Sequence, residues 1–216
     1  MQRIFKNRQH AGKELGRWLR PKYRQLNPLV LGIPRGGVAV AYEVALELGA
    51  ELAVVVAKKL PLPTHPEFGF GAVAEDGSVY VNPEAEQVLP AEMIRDTIRE
   101  QQEEIRRRVQ VYRQGKALPE LAGRIVIIVD DGIATGATLV PVLELCRKMN
   151  AGQIIIAVPV SGTRYDPRLE KADRMEILHQ PEEFNAVGQA YAAFDDFSDR
   201  EVVALLEKAK KTRSTI

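Results

Sequence analysis

The chain has 216 residues, 30 Lys+Arg against 29 Asp+Glu for a formal net charge of +1, and a hydrophobic fraction of 45%. That length suits one large domain, here taken as a single unit over 1–216, and the charge balance gives no global attraction to nucleic acid or a membrane surface. One cysteine, Cys146, excludes an internal disulfide and a cysteine-rich zinc site, so a reducing cytoplasm is the expected setting.

In chain order, residues 1–24 are basic (Arg3, Lys6, Arg8, Lys13, Arg17, Arg20, Lys22 and Arg24 against Glu14 alone), without an apolar signal core, so no secretion signal is expected. Leu29–Ile33 reads as a strand entering the turn Pro34-Arg35-Gly36-Gly37, and Val40, Ala41, Val44, Ala45 and Leu48 mark one face of a helix closed by Gly49. Leu52–Ala57 is a continuous, mostly aliphatic run, as in a strand buried on both faces. Leu60–Gly71, with three prolines and two glycines, reads as a loop, and Glu75-Asp76-Gly77 as a hairpin turn. From Pro90 to about Gln114 the stripe Met93/Ile94, Ile98, Ile105, Val109, Tyr112 predicts a helix of about 35 Å. It should bury that stripe against this chain or a second subunit.

Ile125–Val129 (strand), Gly136–Met149 (helix), Ile154–Val160 and Arg174–Leu178 (strands) and Asp199–Lys211 (helix, with Ser198 as N-cap) complete the series. The apolar runs are too short to span a bilayer. Strand–helix alternation implies an α/β fold with a doubly wound, mostly parallel sheet. Residues 166–201 hold ten acids against four bases, which with the basic first 24 reads either as two solvated faces or as a site or subunit contact built from the asymmetry.

The segment Val126–Thr138 reads V-I-I-V-D-D-G-I-A-T-G-A-T. Asp130 and Asp131 sit at the carboxyl end of a strand, where open α/β sheets bind ligands, and can accept hydrogen bonds from sugar hydroxyls or hold a hydrated magnesium ion. Ala134, Thr135, Gly136, Ala137 and Thr138 form a small-residue loop that can close around a phosphate at a helix N-terminus. The loop lacks the lysine of a Walker A motif.

This string resembles the 5-phosphoribosyl 1-pyrophosphate (PRPP) signature of type I phosphoribosyltransferases, and the resemblance extends over roughly Pro28 to Pro159. It implies that 134–138 bind the 5′-phosphate and that Asp130 and Asp131 address the ribose hydroxyls and, through water and substrate, Mg2+. Gly32-Ile33-Pro34-Arg35-Gly36-Gly37 is similar to the family's pyrophosphate loop, in which a peptide bond is often cis. Lys58 and Lys59 resemble a basic pair that meets pyrophosphate in several members. On this resemblance Arg35 and Lys59 are the catalytic candidates, and Arg35, Gly36, Gly37, Lys58 and Lys59 hold the diphosphate. Leu60–Gly77 corresponds to a mobile catalytic loop, with Glu67 and His65 as polar candidates.

The implied activity is transfer of a 5-phosphoribosyl group from PRPP to a nitrogen acceptor with release of pyrophosphate. The alternative is a PRPP- or nucleotide-sensing regulator on the same fold. The implied partners are PRPP and a small nitrogenous acceptor, with no membrane and no nucleic acid, and the implied assembly is a homodimer. The core spans about 28–160, a small hood comes from 1–27 and 163–197, and the helix over about 90–114 is an inserted element. Tyr165, Phe184, Tyr191, Phe194 and Phe197 are the stacking candidates, with Asp195 or Asp196 reading polar edges. Two positions depart from better-known members: Ala134 stands where 6-oxopurine enzymes carry an Asp, and Gly132 where an aliphatic residue is usual.

Overall fold

The computed structural model describes residues 3–213; within them, the side chains of 66–68 and 213, Glu67 included, lie outside the described residues. Helix α1 (Arg8–Tyr23) is followed by β1 (Leu29–Gly32), α2 (Gly36–Leu48) and β2 (Glu51–Val54). A hairpin and its extension follow as β3 (Ala57–Leu62), β4 (His65–Ala74) and β5 (Val79–Val81), then α3 (Pro83–Val88) and α4 (Ala91–Arg113). The chain ends with β6 (Ile125–Val129), α5 (Leu139–Lys148), β7 (Gln153–Val160), β8 (Arg174–His179) and α6 (Asp199–Arg213).

The main sheet has the order β2-β1-β6-β7-β8 with every pair parallel. Its strands alternate between two cores, as period-2 geometry requires. Val30, Ile127, Val129 and Ile155 pack with α1 and α2 on one face; Leu31, Val126, Ile128 and Ile156 pack with α5 on the other. β1 leads outward to β2, whereas β6 leads to β7 and β8 in the opposite direction. The order therefore reverses between β1 and β6, and the loops leaving their carboxyl ends border the crevice where such sheets take ligands.

Three expectations change. The run Leu52–Ala57 is not one strand: β2 stops at Val54, and Ala57 opens β3 in a second, antiparallel sheet of order β3-β4-β5. Leu60–Gly71 is not an open loop, because β3 and β4 pair through it, with register shifts around Pro61 where the missing amide and the glycines interrupt the ladder. The helix after the small-residue loop begins at Leu139, three residues later than expected.

The remaining elements match closely. Gly49 closes α2 with a φ of 63°, and Gly77 turns the β4–β5 hairpin with a φ of 84°. α4 buries Ile105 and Tyr112 with partly buried Ile94, Ile98 and Val109 against β3, β4 and α6, so the stripe is covered within this chain. Ser198 and Glu201 cap α6 reciprocally.

Helix α1 carried no clear signal. Asn7 caps it by accepting from the His10 amide; Leu15, Leu19 and Tyr23 are buried on α2 and the sheet, and Ala11 is buried with Phe5, Val160 and Tyr191. The basic end of the chain meets acids: Lys22 pairs with Glu176 at 2.6 Å, and Arg17 and Arg20 lie near Glu47.

Candidate functional site

Two loops meet at the reversal point. Ile33 donates its amide to Val129 O at 3.0 Å, pinning residues 33–37 beside the end of β6. The Pro34–Arg35 peptide is cis. Ile133 is held by the end of β7 and the residues just after it, donating to Val160 O and accepting from the Gly162 amide, so the small-residue loop leaves from a fixed point.

Between these loops stand Asp130 and Asp131. A β-carbon on Gly37 would lie 2.6 Å from Asp130 Oδ1, and one on Gly36 would overlap Asp131 Oδ2. Glycine is therefore the residue that lets the loop backbone rest on the two carboxylates. Both acids are partly buried, with the Asp131 side chain 15% exposed. Burial, and then the neighbouring Asp131 charge, push Asp130 well above the ordinary carboxylate range. Burial also raises Asp131, opposed by the hydrogen bond and charge of Arg8.

Arg8 had no sequence signal as a site residue. Its Nε donates to Asp131 Oδ2 at 2.7 Å, its Nη1 to Asp195 O at 2.7 Å, and its Cζ lies 3.8 Å from the centre of the Phe194 ring. Tyr191 is buried and donates its hydroxyl to Asp131 O at 2.6 Å. The acid pair is thus joined to residues 191–195 through one side chain from the other end of the chain.

The loop 134–138 follows the acid pair in the chain, and its Thr135 and Ala137 line a cleft with Gly69, Gly71 and Tyr80. Gly136 has a φ of 78°, and Thr138 precedes α5 without a side-chain cap. Among the described residues the amides of Thr135, Gly136 and Thr138 make no backbone hydrogen bond. α2 also begins at Gly36 without a side-chain cap. Two helix N-termini with unused donors therefore border the acids, an arrangement suited to phosphate groups.

Arg35 is exposed, and Lys58 and Lys59 are partly buried on β3. Burial and then the charge of Arg108 hold the Lys58 ammonium below its usual value. His65 is exposed on β4. Asp195, Asp196 and Phe197 line a cleft of about 380 Å³ with Arg8, Glu43 and Lys208. Tyr165 lines a second cleft, about 330 Å³, beside Thr135 and Ala137. Phe184 is partly buried against the cluster of Phe5, Ala11, Val160, Ala190 and Tyr191. Of the first 27 residues, Ile4, Phe5 and Ala11 join this group, whereas Leu15, Leu19 and Tyr23 of α1 cover the sheet.

Gly132 has a packing account in place of added backbone freedom. A β-carbon there would lie 2.7 Å from Val187 Cγ1 and 3.1 Å from Val160 Cγ1, so Val187 occupies the space a larger residue would need.

The model of the phosphoribosyl transferase domain matches residues 2–192. A Mycobacterium tuberculosis (strain H37Rv) protein with the provisional name of a phosphoribosyl transferase is 40% identical over 215 residues, covering 97% of this chain and 48% of that protein. The chain spans about half the length of the curated relatives it matches. The crystal structure of TT1426 from Thermus thermophilus is similar with a TM-score of 0.78 at 37% identity, covering 94% of this chain and 98% of that one. The AQ2163 protein of Aquifex aeolicus shares the fold alone, with a TM-score of 0.53 at 15% identity over 84% of this chain and 78% of that one.

Proposed function

Because the chain belongs to the phosphoribosyl transferase family, we propose that it transfers a 5-phosphoribosyl group from PRPP to a nitrogen acceptor, a nucleobase or related amine, and releases pyrophosphate. The observation that supports this most is the convergence of the partly buried Asp130/Asp131 pair with two uncapped helix N-termini at the strand-order reversal. The single domain we propose keeps its core at about 28–160, with the hood drawn from within 1–27 and 163–197. In this reading the protein works in the cytoplasm, as a homodimer, on small dissolved substrates.

The amides of 135–138 hold the 5′-phosphate, and Asp130 and Asp131 accept hydrogen bonds from the ribose hydroxyls. Arg35, Lys58 and Lys59, with the Gly36–Gly37 amides, take the diphosphate. The bond from C1 of the ribose to the diphosphate oxygen breaks, and the acceptor nitrogen bonds to C1 from the opposite face. Cations fixed at the leaving group stabilise charge as it develops there, and the β3–β4 hairpin would limit water access.

Magnesium fits the donor set in one form. Among the described residues no group of three His, Cys, Asp or Glu side chains can hold a metal by itself, and Asp131 already bonds Arg8. Two adjacent carboxylates suit an ion that brings its remaining oxygens from substrate and water. Such an ion would neutralise diphosphate charge, with Asp130 and Asp131 as the residues that hold it.

PRPP with magnesium should raise the melting temperature, and Asp130→Asn/Asp131→Asn should abolish the rise. No shift in the parent protein would overturn the site assignment. A screen for pyrophosphate release across bases and amines then names the acceptor class. Binding without release for every acceptor would favour a sensor.

A further inference from the structure

Lys58 and Lys59 adjoin in sequence yet leave β3 on opposite faces, because strand side chains alternate. Ala57 belongs to the core shared with α5, whereas Val56 and Leu60 belong to the core built with α4. Lys58 therefore shares the α4 side. On α4, Ile105, Arg108 and Tyr112 fall on one helix face, at i, i+3 and i+7. Ile105 and Tyr112 pack in one cluster with Val38, Val56 and Leu60, and Val38 lies in the first turn of α2, just beyond Arg35. The inserted helix thus brings Arg108 to the corner that Lys58 and Arg35 already occupy.

Arg108 is held there. Its side chain is 12% exposed, and its Nε donates to Glu104 Oε1 at 2.7 Å. Arg107 takes Glu104 Oε2 at 2.7 Å and Asp199 Oδ2 at 3.0 Å, and the Tyr112 hydroxyl donates to Asp199. Glu104 and Asp199 thus pair with Arg107 and Arg108, whereas Arg35 and Lys58 bring two further cations to the corner. Burial first, and then the charge of Arg108, hold the Lys58 ammonium below its usual value, so Arg108 is the cation that acts on it most. Among the described residues Arg108 bonds only through Nε, which leaves its terminal nitrogens to turn toward an anion.

We infer that Arg108, with Lys58 and Arg35, forms a diphosphate-binding corner on the α4 side of the crevice. This deepens the phosphoribosyl transfer reading and rests on it. A doubly phosphorylated group supplies the negative charge the corner lacks, and a guanidinium fork oriented by Glu104 loses little freedom in meeting it. The added helix then contributes a binding residue, and Lys58, not Lys59, is its partner.

The test is calorimetric titration of inorganic diphosphate with Mg2+, and separately of ribose 5-phosphate, into the parent, Arg108→Gln, Arg108→Lys and Arg106→Gln. Arg106 is exposed on the far side of α4 and serves as the charge-matched control. Arg108→Gln should bind diphosphate about tenfold or more weakly and ribose 5-phosphate within about twofold of the parent. Arg108→Lys should fall between, and Arg106→Gln should match the parent. Unchanged diphosphate binding in Arg108→Gln, or equal losses for both probes, overturns the inference while leaving the transferase reading in place. A parent that binds ribose 5-phosphate but not diphosphate also overturns it alone. A parent that binds neither probe overturns the transferase reading itself, and this inference with it.

Discussion

The guanidinium of Arg8 and the carboxylate of Asp131 stand 123 residues apart in sequence and 2.7 Å apart in space. Their side chains are 14% and 15% exposed, so the pair is largely withdrawn from water. Removing one partner leaves the other charge buried, an effect that outweighs the net contribution of the pair. Arg8→Leu should therefore cost about 3 kcal/mol, read as a lower urea midpoint with unchanged slope. Arg8→Leu/Asp131→Leu should cost clearly less than the two single variants summed. Additive losses would mean that the pair is not coupled.

Local signals made the strands β1, β6 and β7 and the acid-pair segment legible, because a strand buried on both faces and a small-residue loop are written contiguously. Arg8 was not legible, since nothing near it encodes a partner beyond residue 130. The β3–β4 hairpin was hidden by Pro61, Pro63, Gly69 and Gly71, which read as loop residues although the ladder tolerates them at its irregular end. α1 was hidden by its charges and by Pro21 in its last turn, while its apolar stripe of Ala11, Leu15 and Leu19 is narrow. Arg108 was visible as a basic residue of α4, but its place beside Lys58 depends on tertiary packing.

Glu104 supplies a pH test. Hydrogen bonds from Arg107 first, and then from Arg108, lower its carboxyl from 4.5 to about 2. A carboxylate depressed on folding contributes stability above its unfolded value, and loses that contribution as pH falls through the folded one. The stability difference between parent and Glu104→Gln should be full above 4.5 and shrink toward zero near 2. Because Glu104 is partly exposed, added salt should reduce the difference at neutral pH. A difference independent of pH across that window would rule out the ionised pairing.

Cys146 lies in α5 with no exposed surface, and burial first, then the nearby Asp76 charge, push its thiol up to about 12. Reaction requires thiolate and access, and the native fold offers neither. A thiol reagent at about pH 8 should label the native protein slowly and the urea-unfolded protein quickly. Rapid native labelling would show that α5 opens far more readily than its packing implies.

Gly37 and Gly132 flank the acid pair and should respond differently to the same added methyl group. At Gly37 a β-carbon would sit 2.6 Å from Asp130 Oδ1, 2.9 Å from Asp130 Cα and 3.1 Å from Val129 O. Two of those atoms are backbone at the end of β6, so no side-chain rotation makes room. At Gly132 the nearest atom is a Val187 methyl at 2.7 Å, which a rotamer change can move, and the one backbone atom among its nearest three, Val160 O, is at 3.2 Å. Gly37→Ala should therefore lose about 1–3 kcal/mol of stability, with Gly132→Ala toward the lower end of that range. The Gly37 variant must also displace Asp130, so its thermal response to PRPP with magnesium should fall more than that of Gly132→Ala. Equal responses in the two variants would mean that the 36–37 turn and the acid pair do not form one site.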